Sequence, residues 1–187
     1  ALDMLPHRES YKGENIKDAK IDVYGIGTKL ITSFNNAALG GVYKLSAIEE
    51  DGKMIPKIKV SNSHEKTTNP GLKKTVRVLV DGMAAADLIC LYDDEFDTSK
   101  PLTVYHPEQT WKKTTFDKYE LKELMVDVFK DGKLVYDMPS LKEIGEYCDK
   151  SKGEFFPEYR RVTNTQEYKV DLSDNMWKLK HKLLGGR

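Results

Sequence analysis

Three Asp-Gly pairs, Asp51-Gly52, Asp81-Gly82 and Asp131-Gly132, constrain this chain more than any other feature of its sequence. The favoured two-residue hairpin loop needs positive φ at both central positions. Gly takes such a value without steric cost, and Asp tolerates it better than most residues. Before the first pair, "GVYKLSAIE" sets Tyr43, Leu45 and Ala47 against Lys44 and Ser46, the alternation of a half-buried strand. After it, "IPKIKVS" sets Ile58 and Val60 against Lys57 and Lys59. Around the second pair, Val76, Val78 and Val80 of "TVRVLVD" face Leu88, Cys90 and Tyr92 of "MAAADLICLYD". Leu102 to Tyr105 adds an edge strand. From Tyr119 to Phe129, Leu121, Leu124, Met125 and Val128 fit a helical stripe, yet "LMVDVF" runs into "KDGKLVYD". The turn chemistry there favours a strand over Met125 to Phe129.

The C-terminal quarter changes period. Pro139-Ser140 opens a helix, Ser140-x-x-Glu143 has the form of a capping box, and Leu141, Ile144 and Cys148 give one apolar face. "GEFFPEYRRV" reads as a short helix or turn. Ser173 caps a last helix that carries Met176, Trp177, Lys180, Leu183 and Leu184, and "GGR" ends it. The fold class is α+β, a hairpin-rich β region followed by C-terminal helices, sheet first and helices last. Ahead of it, residues 1–20 are polar and broken by Pro6 and Gly13, which reads as a loop or poorly ordered lead. Ile21 to Tyr24 is a short strand, and Lys29 to Phe34 a helical turn or two stopped by "NNAALGG".

Charge and cysteine usage narrow the function. Lys plus Arg and Asp plus Glu number 30 each, so no net field draws a polyanion and a nucleic-acid partner is not expected. No apolar run approaches the ~20 residues of a membrane span, so no membrane partner is expected either. Cys90 and Cys148 read as reduced cysteines packed as small hydrophobes, which points to a cytoplasmic home. His7, His64, His106 and His181 are scattered, with no spacing for a shared metal. Lys57, Lys59, Lys66, Lys73, Lys74 and Arg77 form a basic cluster that reads as a solvated face. The acidic run "DDEFD", Asp93 to Asp97, reads as a charged surface turn. Nothing in the pattern supplies a catalytic nucleophile or general base.

One stretch does suggest a ligand. In "DVYGIGTKLITS", Gly25 and Gly27 let the backbone turn sharply and approach a ligand closely. The amides of Gly27, Thr28 and Lys29 then converge at a helix start, where the dipole favours an anion; the Thr28 hydroxyl adds a hydrogen bond and Lys29 a charge. On spacing alone, an ordinary strand-to-helix turn explains the motif at least as well.

Read in order, "IDVYGIGTKLITSFNNAALGGVYKLSAIE", "PKIKVS", "EKTTNPGLKK", "ADLICLYDD", "HPEQTWKKTT", "FKDGKLVYDMPSLKEI" and "NTQEYKVDLSDNMWKLKHKLL" resemble the C-terminal portion of the nicotinate phosphoribosyltransferase family, over residues 19–184. The resemblance implies an enzyme of NAD salvage. It joins nicotinate to 5-phosphoribosyl-1-pyrophosphate, giving nicotinate mononucleotide and pyrophosphate. ATP hydrolysis is coupled through a transient phosphohistidine, so ATP and Mg are the implied cofactors of the full-length enzyme. The implied fold is the irregular α/β barrel of a type II phosphoribosyltransferase with a flanking α/β sandwich domain, assembled as a homodimer with the active site at the subunit interface. In that frame residues 1–20 are an atypical lead, 21–40 the end of the barrel, and 41–187 the β-rich and helical region.

The implied role of the glycine loop is to hold the ribose 5′-phosphate of substrate or product, and it falls on Gly25, Gly27 and Thr28, with Lys29 beside them. The N-terminal part of such an enzyme, with the energy-coupling histidine and most of the barrel, has no counterpart in these residues. No catalytic or metal-ligating residue is therefore assigned, and the isolated chain is expected to be inactive. Two other readings stay open: a stand-alone phosphate- or nucleotide-binding or structural module, and one chain of a split enzyme.

Overall fold

The computed structural model describes residues 27–38, 40–62, 66–109, 111–161 and 164–185. The chain divides into two units, Ala1–Tyr43 and Lys44–Arg187. In the first, the described residues form one short helix, α1 (Thr28–Ile31), continued by turns to Asn35. The expected strand Ile21 to Tyr24 and the expected lead over residues 1–20 lie outside the described residues.

The second unit is built around the three turns. Asp51, Asp81 and Asp131 have φ of 51°, 50° and 50°, and the glycines after them 74°, 76° and 73°, so all three loops take the positive-φ conformation their sequence calls for. They join β1 (Ala47–Glu50) to β2 (Lys53–Pro56), β3 (Lys73–Val80) to β4 (Met83–Leu91), and the two-residue strands β8 (Phe129–Lys130) and β9 (Lys133–Leu134). The first hairpin is shorter than its alternation suggests. Tyr43 and Leu45 precede β1 and are exposed, and Ile58 and Val60 follow β2, although the Lys57 amide still donates to the Ser46 carbonyl at 2.8 Å. The third is shorter still. Met125 to Val128 lie outside any strand and are exposed or nearly so, because a two-stranded ribbon with no sheet behind it ends within a few residues of its turn.

The main sheet has six strands: β3, β4, β5 (Leu102–Tyr105), β6 (Lys113–Phe116), β7 (Glu120–Glu123) and β10 (Val170–Leu172), in the order β6-β5-β10-β4-β3-β7. Two expectations are corrected by this order. Leu102 to Tyr105 is an interior strand, with β6 on one side and β10 on the other. The sheet is not finished before the helices begin, because β10 follows α2 (Leu141–Gly153) and α3 (Pro157–Arg160) and inserts parallel to β4. Residues around Leu121, read as helical or hairpin, pair instead with the free edge of β3, where Val78 meets Leu121.

One face of this sheet buries Val76, Val78, Leu88, Cys90, Leu102 and Val104, with Phe96, Phe116, Tyr119 and Leu121 packed on them. Val76 pairs with Leu88 and Val78 with Ala86, so partners in the ladder share that face. Val80 is half-buried and Tyr92 exposed, so the apolar row ends sooner than its pattern. The helix α4 (Asp174–Gly185) packs on β4 and β5, burying Met176 and stacking Trp177 on Tyr105 at 4.8 Å between ring centres. Before it, the Ser173 hydroxyl accepts from the Met176 amide at 3.2 Å, the cap its sequence predicts.

The capping box of α2 forms in full: the Ser140 hydroxyl accepts from the Glu143 amide, and the Glu143 carboxylate accepts from the Ser140 amide at 2.7 Å. Yet α2 buries no residue, and Leu141, Ile144 and Tyr147 remain exposed. Its hold on the sheet comes from its end. The Glu154 carbonyl accepts from the Ala84 amide at 2.7 Å, and its carboxylate meets Arg77 and Lys122. Arg77 is therefore no part of a solvated basic face. Its fork engages Asp87 at 2.8 and 3.0 Å, and its guanidinium lies 4.5 Å from the Phe155 ring centre.

Candidate functional site

Gly27 is the N-cap of α1, with φ −112° and ψ −156°, and its carbonyl accepts from the amides of Leu30 at 3.2 Å and Ile31 at 3.4 Å. Thr28 and Lys29 open the helix, and the Thr28 carbonyl accepts from both the amide and the hydroxyl of Thr32, at 2.9 and 2.7 Å. The amides of Gly27, Thr28 and Lys29 donate to no other described residue, as first-turn amides do not. All three residues are exposed, and a Cβ on Gly27 would meet nothing within 4 Å. The Lys29 ammonium lies 5.8 Å from the centre of the Phe34 ring. Gly25 lies outside the described residues, so the described part of the loop is a helix start with three amides that bond to no described residue and one cation.

The second unit holds a cleft of about 610 Å³ that no sequence motif announces. It opens where β10 begins, beside the ends of β5 and β6, and its lining includes His106, Glu108, Lys112, Thr114, Lys169 and Asp171. Strand pairing assembles it. Leu172 stands opposite Tyr105 and Tyr105 opposite Lys113, which brings the neighbouring Asp171, His106 and Lys112 to one end of three adjacent strands.

Within the cleft, His106 Nδ1 accepts from the amides of Glu108 at 3.1 Å and Gln109 at 3.0 Å, which leaves Nε2 as the donor of the ring. The Lys169 ammonium donates to the Thr114 hydroxyl at 2.8 Å. Asp171, only 4% exposed, makes no hydrogen bond through its carboxylate to any described residue. Burial pushes its carboxyl above the ordinary range, against the opposing pull of Lys169, His106 and Lys112. Sequence reading missed this group because its members come from separate segments, and no spacing links them.

The acidic run also turns out otherwise than its composition suggests. Asp94 is buried and accepts from the Ser173 hydroxyl at 2.6 Å, the Asn175 side-chain amide at 2.7 Å and the Leu91 amide at 3.1 Å. It ties the end of β4 to the start of α4, whereas Asp93 and Asp97 are exposed as a surface turn requires.

Residues 72–180 match the family model of the nicotinate phosphoribosyltransferase C-terminal domain, a range that spans the six-stranded sheet and most of α4. The class the fold and the match define is thus an α+β C-terminal domain of the phosphoribosyltransferase kind. The chain belongs to the nicotinate phosphoribosyltransferase family. It is 41% identical over 161 residues to the nicotinate phosphoribosyltransferase of Bacillus subtilis (strain 168), covering 85% of this chain and 33% of that protein. With the Caenorhabditis elegans nicotinate phosphoribosyltransferase it shares 32% identity over 180 residues, 95% of this chain and 31% of the relative. The crystal structure of human nicotinic acid phosphoribosyltransferase superposes with a TM-score of 0.57 at 25% identity, over 63% of this chain and 24% of that one. The chain therefore spans about a third of the length of the curated relatives it matches. Among the described residues no helix is long and apolar enough to cross a membrane.

Proposed function

We propose that this chain is the C-terminal part of an enzyme that joins nicotinate to 5-phosphoribosyl-1-pyrophosphate with coupled ATP hydrolysis, making nicotinate mononucleotide for NAD salvage in the cytoplasm. The observation that carries the reading is the match over residues 72–180 together with relatives about three times as long. In this reading residues 21–40 end the barrel and residues 41–187 belong to the flanking domain. Gly25, Gly27, Thr28 and Lys29 hold the ribose 5′-phosphate. What supports the loop's part is the run of three amides at the start of α1 that bond to no described residue, with Lys29 beside them. The N-terminal part of the enzyme supplies the nicotinate pocket and the phosphorylated histidine, and two copies assemble around the shared active site.

ATP and Mg belong to the full-length enzyme in this reading. Among the described residues no three His, Cys, Asp or Glu side chains group as a metal ion could use. The test is a chimera in which this chain replaces the matching third of the Bacillus subtilis relative. Nicotinate-dependent pyrophosphate release is expected from the chimera and not from the isolated chain. Gly27→Val in the chimera is expected to raise KM for the phosphoribosyl donor about tenfold or more, since a β-branched side chain crowds the amides around the phosphate. Turnover by the isolated chain, or a Gly27→Val chimera with unchanged kinetics, would count against this assignment.

A further inference from the structure

The cleft around Asp171 has no part in the reading above. Asp171 stands opposite Leu88 in the parallel ladder, a position where an apolar side chain would simply extend the core. Instead Asp171, a residue only 4% exposed, carries a carboxylate that takes no hydrogen bond from the described residues. Its oxygens are not among the fully buried atoms without a partner, so they face the cleft, where a ligand can supply the donor. Lys169, His106 and Lys112 are near enough to act on it through space, yet none bonds to it. His106 is turned by two amides so that its remaining ring nitrogen is a donor, and Lys169 is steadied by Thr114 with two protons to spare.

The charges of the lining decide what would fit. The lining sets Lys112 and Lys169 beside Asp171, Glu108 and Glu167, so both signs stand side by side in the cleft. A plain anion would bring a second negative charge to Asp171, and a plain cation would meet the two lysines. A molecule with both charges close together satisfies the acid and the bases at once. We propose that this cleft binds a small zwitterion of the α-amino-acid class, with its ammonium on Asp171 and its carboxylate on Lys112 and Lys169. The volume leaves room for a side chain of ordinary size.

The amides of Glu108 and Gln109, held on the His106 ring, are built-in reporters. The 187-residue chain, labelled with nitrogen-15, is titrated with a panel of the common α-amino acids. At least one is expected to shift these two amides saturably. Removing either the ammonium or the carboxylate from that ligand is expected to weaken binding about tenfold or more, as the loss of one charged hydrogen bond does. Asp171→Asn is expected to abolish the preference for the amino acid over its deamino analogue, with heat unfolding as the check that the variant folds. The ligand comparison on the unaltered chain stands whether or not that variant folds. No saturable shift from any amino acid, or a deamino analogue that binds as tightly as its parent, overturns the proposal.

Discussion

Asp94 reaches further across the chain than any neighbour in its acidic run. Its carboxylate joins β4 to a serine 79 residues away, and that serine in turn caps α4. Asp94→Ala removes the acceptor of three donors and strands a buried hydroxyl; a loss of about 2–3 kcal/mol in urea unfolding is expected, against about 0.5 or less for Asp93→Ala. In sequence the acids of "DDEFD" are interchangeable, because nothing local says which one meets Ser173. The same limit hid Asp171, while the capping serines were legible because their partners lie only three residues on. The two cysteines separate just as sharply. Burial, with Asp94 adding to it, pushes the Cys90 thiol up to about 12, whereas Cys148 is exposed on α2. An aromatic disulfide reagent is expected to titrate one thiol per folded chain and the second only in denaturant; two fast thiols in the native protein would contradict this placement.

Among elements, the hairpins were readable because a turn is chemistry within four residues. The Asp-Gly conformations follow from the sequence, and so does the apolar face of β3 against β4. How far each hairpin runs was not readable, since that depends on whether another strand or layer lies beyond it. β3 and β4 have further neighbours in the main sheet and reach eight and nine residues, whereas β8 and β9 pair only with each other among the described residues and stop at two. The attachment of α2 was equally hidden: its apolar stripe suggested burial of a face, and its grip is the polar junction at Glu154. Lys122, with Arg77 behind it, holds the Glu154 carboxyl below its ordinary 4.5 against the contrary effect of burial. A carboxyl lowered by folding stabilises the native state above its unfolded pKa and loses that contribution as pH falls through the folded value. Wild type is therefore expected to melt above Glu154→Gln at pH 7, with the gap closing toward pH 3 in thermal scans. A gap that stays constant over that range would mean that the junction does not depend on the ionised carboxylate.

For the molecule as a whole, the β10 insertion decides how its parts depend on one another. Three residues, Val170–Leu172, join the β5–β6 pair to β4, β3 and β7. Leu172 is fully buried, and Leu172→Ala is expected to cost about 3 kcal/mol. Hydrogen exchange is expected to accelerate in β4 and β5 together; acceleration in β5 alone would mean that the two halves do not share one cooperative unit. A strand of three residues among polar neighbours gave no periodic signal, so its existence became visible only through its pairing.

A chain is synthesised from its first residue onward, and here a central strand of the sheet is the last strand to be made. While β3 to β7 have already left the ribosome, the two groups of strands wait with the inner edges of β4 and β5 unpaired. Those edges are ready templates for another chain until Val170–Leu172 arrives. The described sheet is thus closed from the middle at the end of synthesis, which makes nascent chains stalled before Val170 the form of this protein most exposed to wrong pairing.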